Sequence, residues 1–462
     1  MSNLLPALID IVGDSGVLSG DALTGRSAGV WAGGEFQALA LVRPGSTEEV
    51  SAVLRVCNEA GQSVVPVGGM SGLVGAHQTG PDDIALSLER MTVIENLDTQ
   101  SRTMTVQAGA ILQTVQERAA DAGLMFPLDL GARASCTIGG NIATNAGGVR
   151  VIRYGMMRDL VLGLEAVLAD GTVISSMSGL MKNNAGYDVR QMFVGSEGTL
   201  GVVTRAILRL YEAPPGVETA LLAVPSWDAV MGLLRHFDRT LAGGLVAFEV
   251  MWRDYFDLNT GPYSDVDSPL SESAPFYVLM EVFVADAEKG RGELESLLMQ
   301  CIESGDVVDG VIAKSEAERL EIWQIRESFE PEKNRFGMAH GYDISLRIED
   351  MDVYVETVRQ HLTTRYRGSE LFVLGHIGDG NIHFSVANVD KADLPGMNDI
   401  IYGPLRDLNG SVSAEHGIGL EKKAYLGVTR SAAEIDLMRR TKMMMDPKGI
   451  LNPGKVFDLQ DT

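Results

Sequence analysis

Glycine is crowded into one stretch of this chain. Of 52 glycines in 462 residues, the dense clusters fall between Gly61 and Gly201. Glycine loses more conformational freedom on folding than any other residue, so such density needs a reason beyond turn-making. Three clusters stand out: Val67-Gly68-Gly69-Met70-Ser71-Gly72-Leu73-Val74-Gly75, Ser135-Cys136-Thr137-Ile138-Gly139-Gly140-Asn141-Ile142-Ala143-Thr144-Asn145-Ala146-Gly147-Gly148, and Val194-Gly195-Ser196-Glu197-Gly198-Thr199-Leu200-Gly201-Val202-Val203. In such loops successive backbone N–H groups can turn inward and make a nest for a diphosphate. Small side chains let a planar ligand approach the backbone, while amides and hydroxyls supply directed hydrogen bonds. The first loop lacks the GxGxxG spacing and opens no long helix, so a Rossmann dinucleotide site is a poor match. One such loop is equally a tight structural turn. Several in one region point to a large phosphate-bearing cofactor.

The surrounding text is mixed α/β. Ser46 and Glu49 have capping-box spacing and predict a helix to about Ala60. Val64 to Val67, IALSLERM and TMTVQAG read as strands, and LGLEAVLADGTVI as a hairpin turned at Asp170-Gly171. After Tyr211 the run EAPPG marks a domain boundary. Beyond it, strand, helix, strand, strand and helix follow in that order, which predicts an antiparallel sheet with helices on one face. The last fifty residues hold SVSAEHGIGLEKK and a helix, AAEIDLMRRTKMMM, that stops at Asp446-Pro447. The expected class is α+β, in segments 1–213, 214–410 and 411–462.

Charge and cysteine usage narrow the function. Acidic residues outnumber basic ones 62 to 38, a formal net charge of -24, which argues against nucleic acid or an anionic membrane surface as a partner. Cys57, Cys136 and Cys301 are far apart and form no CxxC, so neither a disulfide framework nor a thiolate zinc site is expected. The first residues carry acids where a signal peptide carries a basic region, and no apolar run reaches the length of a membrane span. The expectation is a cytoplasmic protein without a transmembrane segment.

PVGGMSGLVG, SCTIGGNIATNAGG and GSEGTLGVVT together resemble the FAD-binding domain of the vanillyl-alcohol-oxidase/PCMH flavoproteins. The likeness continues through GHIGDGNIH, SAEHGIG and DPKGILNPGK, so it covers nearly the whole chain. It is closest to the FAD-linked D-2-hydroxyacid dehydrogenases, of the D-lactate and D-2-hydroxyglutarate type. The resemblance implies a PCMH-type FAD-binding domain, an antiparallel-sheet substrate (cap) domain and a small helical C-terminal segment returning to the flavin. It implies that Pro66, Val67, Gly68, Gly69, Met70, Ser71, Gly72 and Leu73 hold FAD. So do Ser135, Thr137, Ile138, Gly139, Gly140, Asn141, Ala143, Thr144, Asn145, Gly198 and Val203, and Asn452 lies near the flavin. His77 is the only histidine in the first 235 residues and follows the first loop rather than replacing one of its residues, so FAD is expected to be noncovalent.

A further group of residues carries its own argument. GHIGDGNIHF reads as two strands around the turn Gly378-Asp379-Gly380-Asn381, which sets His376 across from His383. Two facing imidazoles and a carboxylate make a divalent-metal pattern, with Glu415 as the third ligand. Two satisfied hairpin histidines are the bland alternative, and the resemblance favours zinc or a similar ion. Glu415 and His416 are neighbours, and Gly417-Ile418-Gly419 permits the turn that would let both serve one site. His416 is then the general base, taking the hydroxyl proton while hydride passes from the substrate Cα to flavin N5.

For substrate binding the resemblance points to Arg326, Asn381 and Ser385. The pattern departs from D-2-hydroxyglutarate dehydrogenases at Glu330, Gly341 and Ser385, where they carry Thr, Lys and Asn; Arg335, His340 or Arg347 are candidates to compensate, and Phe336 and Met338 to line a less polar pocket. The reading is FAD- and metal-dependent oxidation of a D-2-hydroxy acid to the 2-oxo acid. Its electrons would pass to an electron-transferring flavoprotein or a quinone rather than NAD, and a homodimer is compatible with it. The alternatives are a noncatalytic flavin-binding subunit of an oxidase complex and a flavin-dependent ether-lipid-forming transferase. A plain metallohydrolase is the outsider.

Overall fold

The computed structural model describes residues 4–29, 34–337 and 339–459, apart from the side chains of residues 287 and 288. It divides into two compact units. The first takes the described residues of 1–147, 154–213 and 415–462; the second takes 148–153 and 214–414.

The first unit holds two larger sheets and a two-stranded one that pairs Leu124–Met125 with Tyr211–Glu212. Four short strands, β1 (Val17–Leu18), β2 (Ala40–Val42), β3 (Val64–Val67) and β4 (Ile84–Ser87), lie in the order β1-β2-β4-β3. The last three are parallel, and their apolar side chains are buried almost throughout, as parallel strands require. Helix α1 (Thr47–Ala60) connects β2 to β3. The Ser46 hydroxyl accepts from the Glu49 N–H at its start, and Gly61 ends it in the left-handed conformation. The second sheet is antiparallel: β5 (Ile94–Asp98), β6 (Thr103–Gln107), β7 (Val161–Val167), β8 (Val173–Ser176) and β9 (Val202–Arg209), in the order β5-β6-β9-β7-β8. The hairpin of β7 and β8 turns at Asp170-Gly171, where φ of Gly171 is 85°. A short helix, α2 (Ile138–Thr144), is capped by Thr137, whose hydroxyl accepts from the Gly140 N–H.

The second unit is built on one seven-stranded antiparallel sheet. Its strands are β10 (Gly216–Val224), β11 (Leu245–Trp252), β12 (Phe276–Val284), β13 (Asp309–Ile312), β14 (His340–Ser345), β15 (Glu370–His376) and β16 (Asn381–Ala387). They lie in the order β13-β10-β12-β11-β15-β16-β14. The expectation of helices on one face is corrected here. Every residue of β11 is buried, which needs cover on both faces. On one face α3 (Glu316–Glu327) packs Ile322, Trp323 and Ile325 into the cluster with Leu221, Met251 and Leu279. On the other, Tyr354 stacks on Phe384, whose side chain points opposite to that of its neighbour His383. Among the described residues no helix is long and apolar enough to cross a membrane.

The C-terminal stretch of the first unit carries α4 (Ala432–Met445), opened by a reciprocal cap between Ser431 and Glu434. Lys442, with 4% of its side chain exposed, donates to the carbonyls of Thr199 and Leu451 and pairs with Asp446. Asp446 in turn accepts the N–H groups of Ile450 and Leu451. A buried charge is tolerated only when paired and hydrogen-bonded in this way. The chain emerging from the cluster then reaches β3, where the Asn452 N–H meets the Val64 carbonyl at 2.8 Å.

Candidate active site

In the first unit the three glycine loops and Asn452 converge at the carboxyl end of β3. Gly69 lies so close to the second loop that a Cβ there would stand 1.9 Å from the Ser135 carbonyl oxygen. Gly68 faces Thr137, and Gly198 abuts Pro66. The Gly195 and Glu197 N–H groups donate to the Ile142 and Ala143 carbonyls, tying the third loop to α2. Thr144 donates to the Gly140 carbonyl, and Asn145, at φ 50°, accepts from the Arg158 N–H. Val203 lies on β9, and the amide of buried Asn141 points at Cys136 Sγ.

This cradle fits a phosphate-bearing cofactor on two observations. Among the described residues, no protein acceptor meets the backbone N–H groups of residues 68–73, a run of exposed or half-buried residues whose donors are able to face a diphosphate. The Asn452 amide N–H₂ donates to the Ala76 and Glu197 carbonyls, but its buried Oδ1 has no partner and can accept from a ligand. A cavity of about 220 Å³ opens beside the first loop, lined by Arg26, Phe36, Leu41, Val67, Gly68 and Gly69 among others. His77 Nε2 lies 3.1 Å from the Ala28 carbonyl, and burial lowers its pKa below the ordinary histidine value.

In the second unit one sheet face carries a polar row. Strand register places Thr219, Glu281, Glu249, His376, His383 and Asp343 on this face. Helix α3 crosses it and presents Arg319, Trp323 and Arg326 at the spacing of one helix side. Arg319 and Trp323 Nε1 bond Glu281, as does Arg150 from the 148–153 segment. Arg326 Nε reaches Glu249 at 2.7 Å.

His376 and His383 share the face, but the hairpin does not set them directly opposite. A short 3₁₀ turn over Ile377–Asp379 shifts the pairing, so His383 faces Leu374 and the histidines lie diagonally, ring centroids 5.2 Å apart. His376 Nδ1 stands 2.8 Å from Glu249. His383 Nδ1 stands 3.9 Å from fully buried Asp343. Two imidazoles with carboxylates beside them are a nitrogen–oxygen donor set that suits zinc or a similar divalent ion. The Asn381 amide is spent on Asp343 and the Ile344 carbonyl. Ser385 is buried and bonds Glu332, whose carboxyl is pushed up by burial despite that contact. Glu330 pairs with Lys333 at an exposed position. Arg335 pairs with Glu370, Arg347 with Asp350, and His340 contacts the Val389 carbonyl; Met338 lies outside the described residues.

Asp343 also accepts from the Ser413 hydroxyl and the Ala414 N–H, so the peptide just before Glu415 is fixed. In its own unit, Glu415 Oε1 is 3.8 Å from His416 Nε2. Gly417, at φ 88°, turns the chain there, and the Ile418 and Gly419 N–H groups donate to buried Glu197.

Sequence reading missed Glu249, Glu281 and Asp343, and named Glu332 only within the acid cluster Glu327, Glu330, Glu332. A signal existed for the first two: each is a lone acid inside an apolar strand, LVAFEVMW and FYVLMEVFV, and a buried acid needs a cationic or donor partner.

The comparisons agree with an FAD cradle in this chain. A family model for the C-terminal domain of FAD linked oxidases matches residues 213–456, and one for an FAD binding domain matches 38–176. The D-2-hydroxyglutarate dehydrogenase of Xanthomonas citri pv. viticola is 41% identical over 92% of this chain and 90% of its own length. The mitochondrial D-2-hydroxyglutarate dehydrogenase of Rattus norvegicus is 39% identical over 90% of this chain and 78% of its own. The solved structure of p-cresol methylhydroxylase with substrate bound superposes with a TM-score of 0.78 at 14% identity, covering 100% of this chain and 98% of that one, a likeness of fold alone. The expectation of a cytoplasmic protein does not stand. The rat relative is named as mitochondrial, as are those of Oryza sativa, Bos taurus and Danio rerio, so cysteine usage and the N-terminal residues do not decide the compartment. This chain is an FAD-binding enzyme that oxidises a D-2-hydroxy acid to the 2-oxo acid, and it belongs to the FAD-linked D-2-hydroxyacid dehydrogenases of the vanillyl-alcohol-oxidase/PCMH superfamily.

Proposed function

We propose that the substrate is a D-2-hydroxy acid of the D-2-hydroxyglutarate class, oxidised with His416 as base at a divalent metal held by His376, His383 and Glu415. The observation that carries this reading is Arg326. Its guanidinium is buried against Glu249 and His376, and among the described residues no protein acceptor meets Nη1. A buried cation with an unused donor edge suits a carboxylate substrate. The names of the relatives supply the dicarboxylic member of the class.

Bound FAD, noncovalent here, supplies the two-electron acceptor, and the metal supplies Lewis acidity at the substrate hydroxyl. Everything else falls to side chains of this chain. Arg326 holds the carboxylate and sets its approach. His416 takes the hydroxyl proton on a ring nitrogen, and Glu415 beside it stabilises the resulting imidazolium. Asp343, through the Ala414 N–H, fixes the backbone from which Glu415 leaves. Asn381 keeps Asp343 in place, and Ser385 carries a hydrogen-bonding group on the same sheet face. The loops at 68–73, 135–145 and 198 hold the cofactor against water. The electrons leave for an electron-transferring flavoprotein or a quinone.

Removing the metal tests the reading. Dialysis against a strong chelator is expected to slow flavin reduction by D-2-hydroxyglutarate about tenfold or more, with FAD retained and the rate restored by added zinc. An unchanged rate in enzyme shown metal-free by elemental analysis would leave the four residues as a metal-independent site.

A further inference from the structure

We infer that Glu249 is a positioning residue that sets both the substrate arginine and the first metal histidine. The inference rests on the function proposed above. Glu249 lies in the middle of the sheet on β11, 1% exposed, directly paired with His376 across to β15. One carboxylate oxygen accepts from Arg326 Nε at 2.7 Å, the other faces His376 Nδ1 at 2.8 Å.

The donor inventory then fixes the imidazole. An ionised carboxylate only accepts, so Nδ1 must carry the proton. Arg326 Nη2 lies 3.4 Å from Nδ1 and 3.2 Å from Nε2, against the ring rather than in line with either nitrogen, so the carboxylate alone sets the tautomer, and in the neutral ring Nε2 bears the lone pair. That tautomer is the one that offers Nε2 to a cation. The carboxylate also holds Arg326 through Nε, and among the described residues no protein acceptor meets Nη1. One acid therefore orients the group that holds the substrate and a group that holds the metal.

Glu249→Gln keeps the shape and loses one of the two acceptor oxygens. With FAD content unchanged, zinc affinity measured by chelator competition is expected to fall about 10- to 100-fold. KM for D-2-hydroxyglutarate should rise, with Glu249→Asp restoring part of both. A variant whose zinc affinity and KM stay within about twofold of the wild type, while the wild type binds zinc, overturns the role of Glu249 alone. A wild type that binds no zinc overturns both this role and the metal reading beneath it. The wild-type holoenzyme gives a second readout should the variant fail to fold. Selective ¹⁵N labelling of histidine should show one ring protonated at Nδ1 whose Nε2 resonance moves on zinc addition, absent in His376→Ala. Protonation of that ring at Nε2 overturns the inference.

Discussion

Replacing His416 with asparagine is expected to slow reduction of the bound flavin by a D-2-hydroxy acid about 10²- to 10⁴-fold, the range lost when a positioned base is removed. FAD content should not change. The turn at Gly417 and the contacts of Glu197 with the Ile418 and Gly419 N–H groups are made by backbone, so they survive the exchange. Asparagine keeps polarity and approximate size but cannot take a proton near neutral pH. Anaerobic stopped-flow, one turnover, separates this loss from any effect on acceptor turnover. A loss smaller than about tenfold would assign the proton to another group.

Gly69→Ala is expected to yield protein that purifies almost free of flavin, with FAD affinity down at least about 100-fold. The added Cβ would lie 1.9 Å from the Ser135 carbonyl oxygen and 2.9 Å from the Cys136 Cα, and both neighbours are backbone that no rotamer change can clear. The first two glycine loops would have to part, and overpacking of this kind costs about 1–3 kcal/mol or more before any ligand contact is lost. Gly232→Ala is the control. It sits within a helix with nothing inside 4 Å of its Cβ, so it should retain FAD and fold at least as well. The ratio of flavin to protein absorbance after purification reads both variants.

Local chemistry was legible wherever it is written within a few residues. Ser46 and Glu49 announced α1, although Glu49 reaches back to the Gly45 N–H rather than to that of Ser46. Asp170-Gly171 announced the hairpin, and Asp446 the end of α4. The glycine loops announced a cofactor cradle because three of them in one region have no cheaper explanation. Partners fixed by register across the sheet were not legible. Nothing near His383 in sequence says that Asp343 is its cross-strand neighbour, and the diagonal offset from His376 depends on the 3₁₀ turn at Ile377. Glu249 and Glu281 are acids set in apolar strands; sequence reports that each must be paired, while only the fold says that α3 brings Arg319 and Arg326 to them. Helices on both faces of the large sheet followed from the text of β11, apolar but for Glu249, read without its consequence.

The central claim is that this chain passes hydride from a D-2-hydroxy acid to its own FAD. Anaerobic mixing of the purified holoenzyme with D- and L-2-hydroxyglutarate and with D- and L-lactate tests it most directly. Rapid bleaching of the flavin absorbance by the D-acids, fastest with D-2-hydroxyglutarate, and none by the L-acids, is the predicted result. No bleaching by any D-acid in enzyme carrying both FAD and zinc would contradict it.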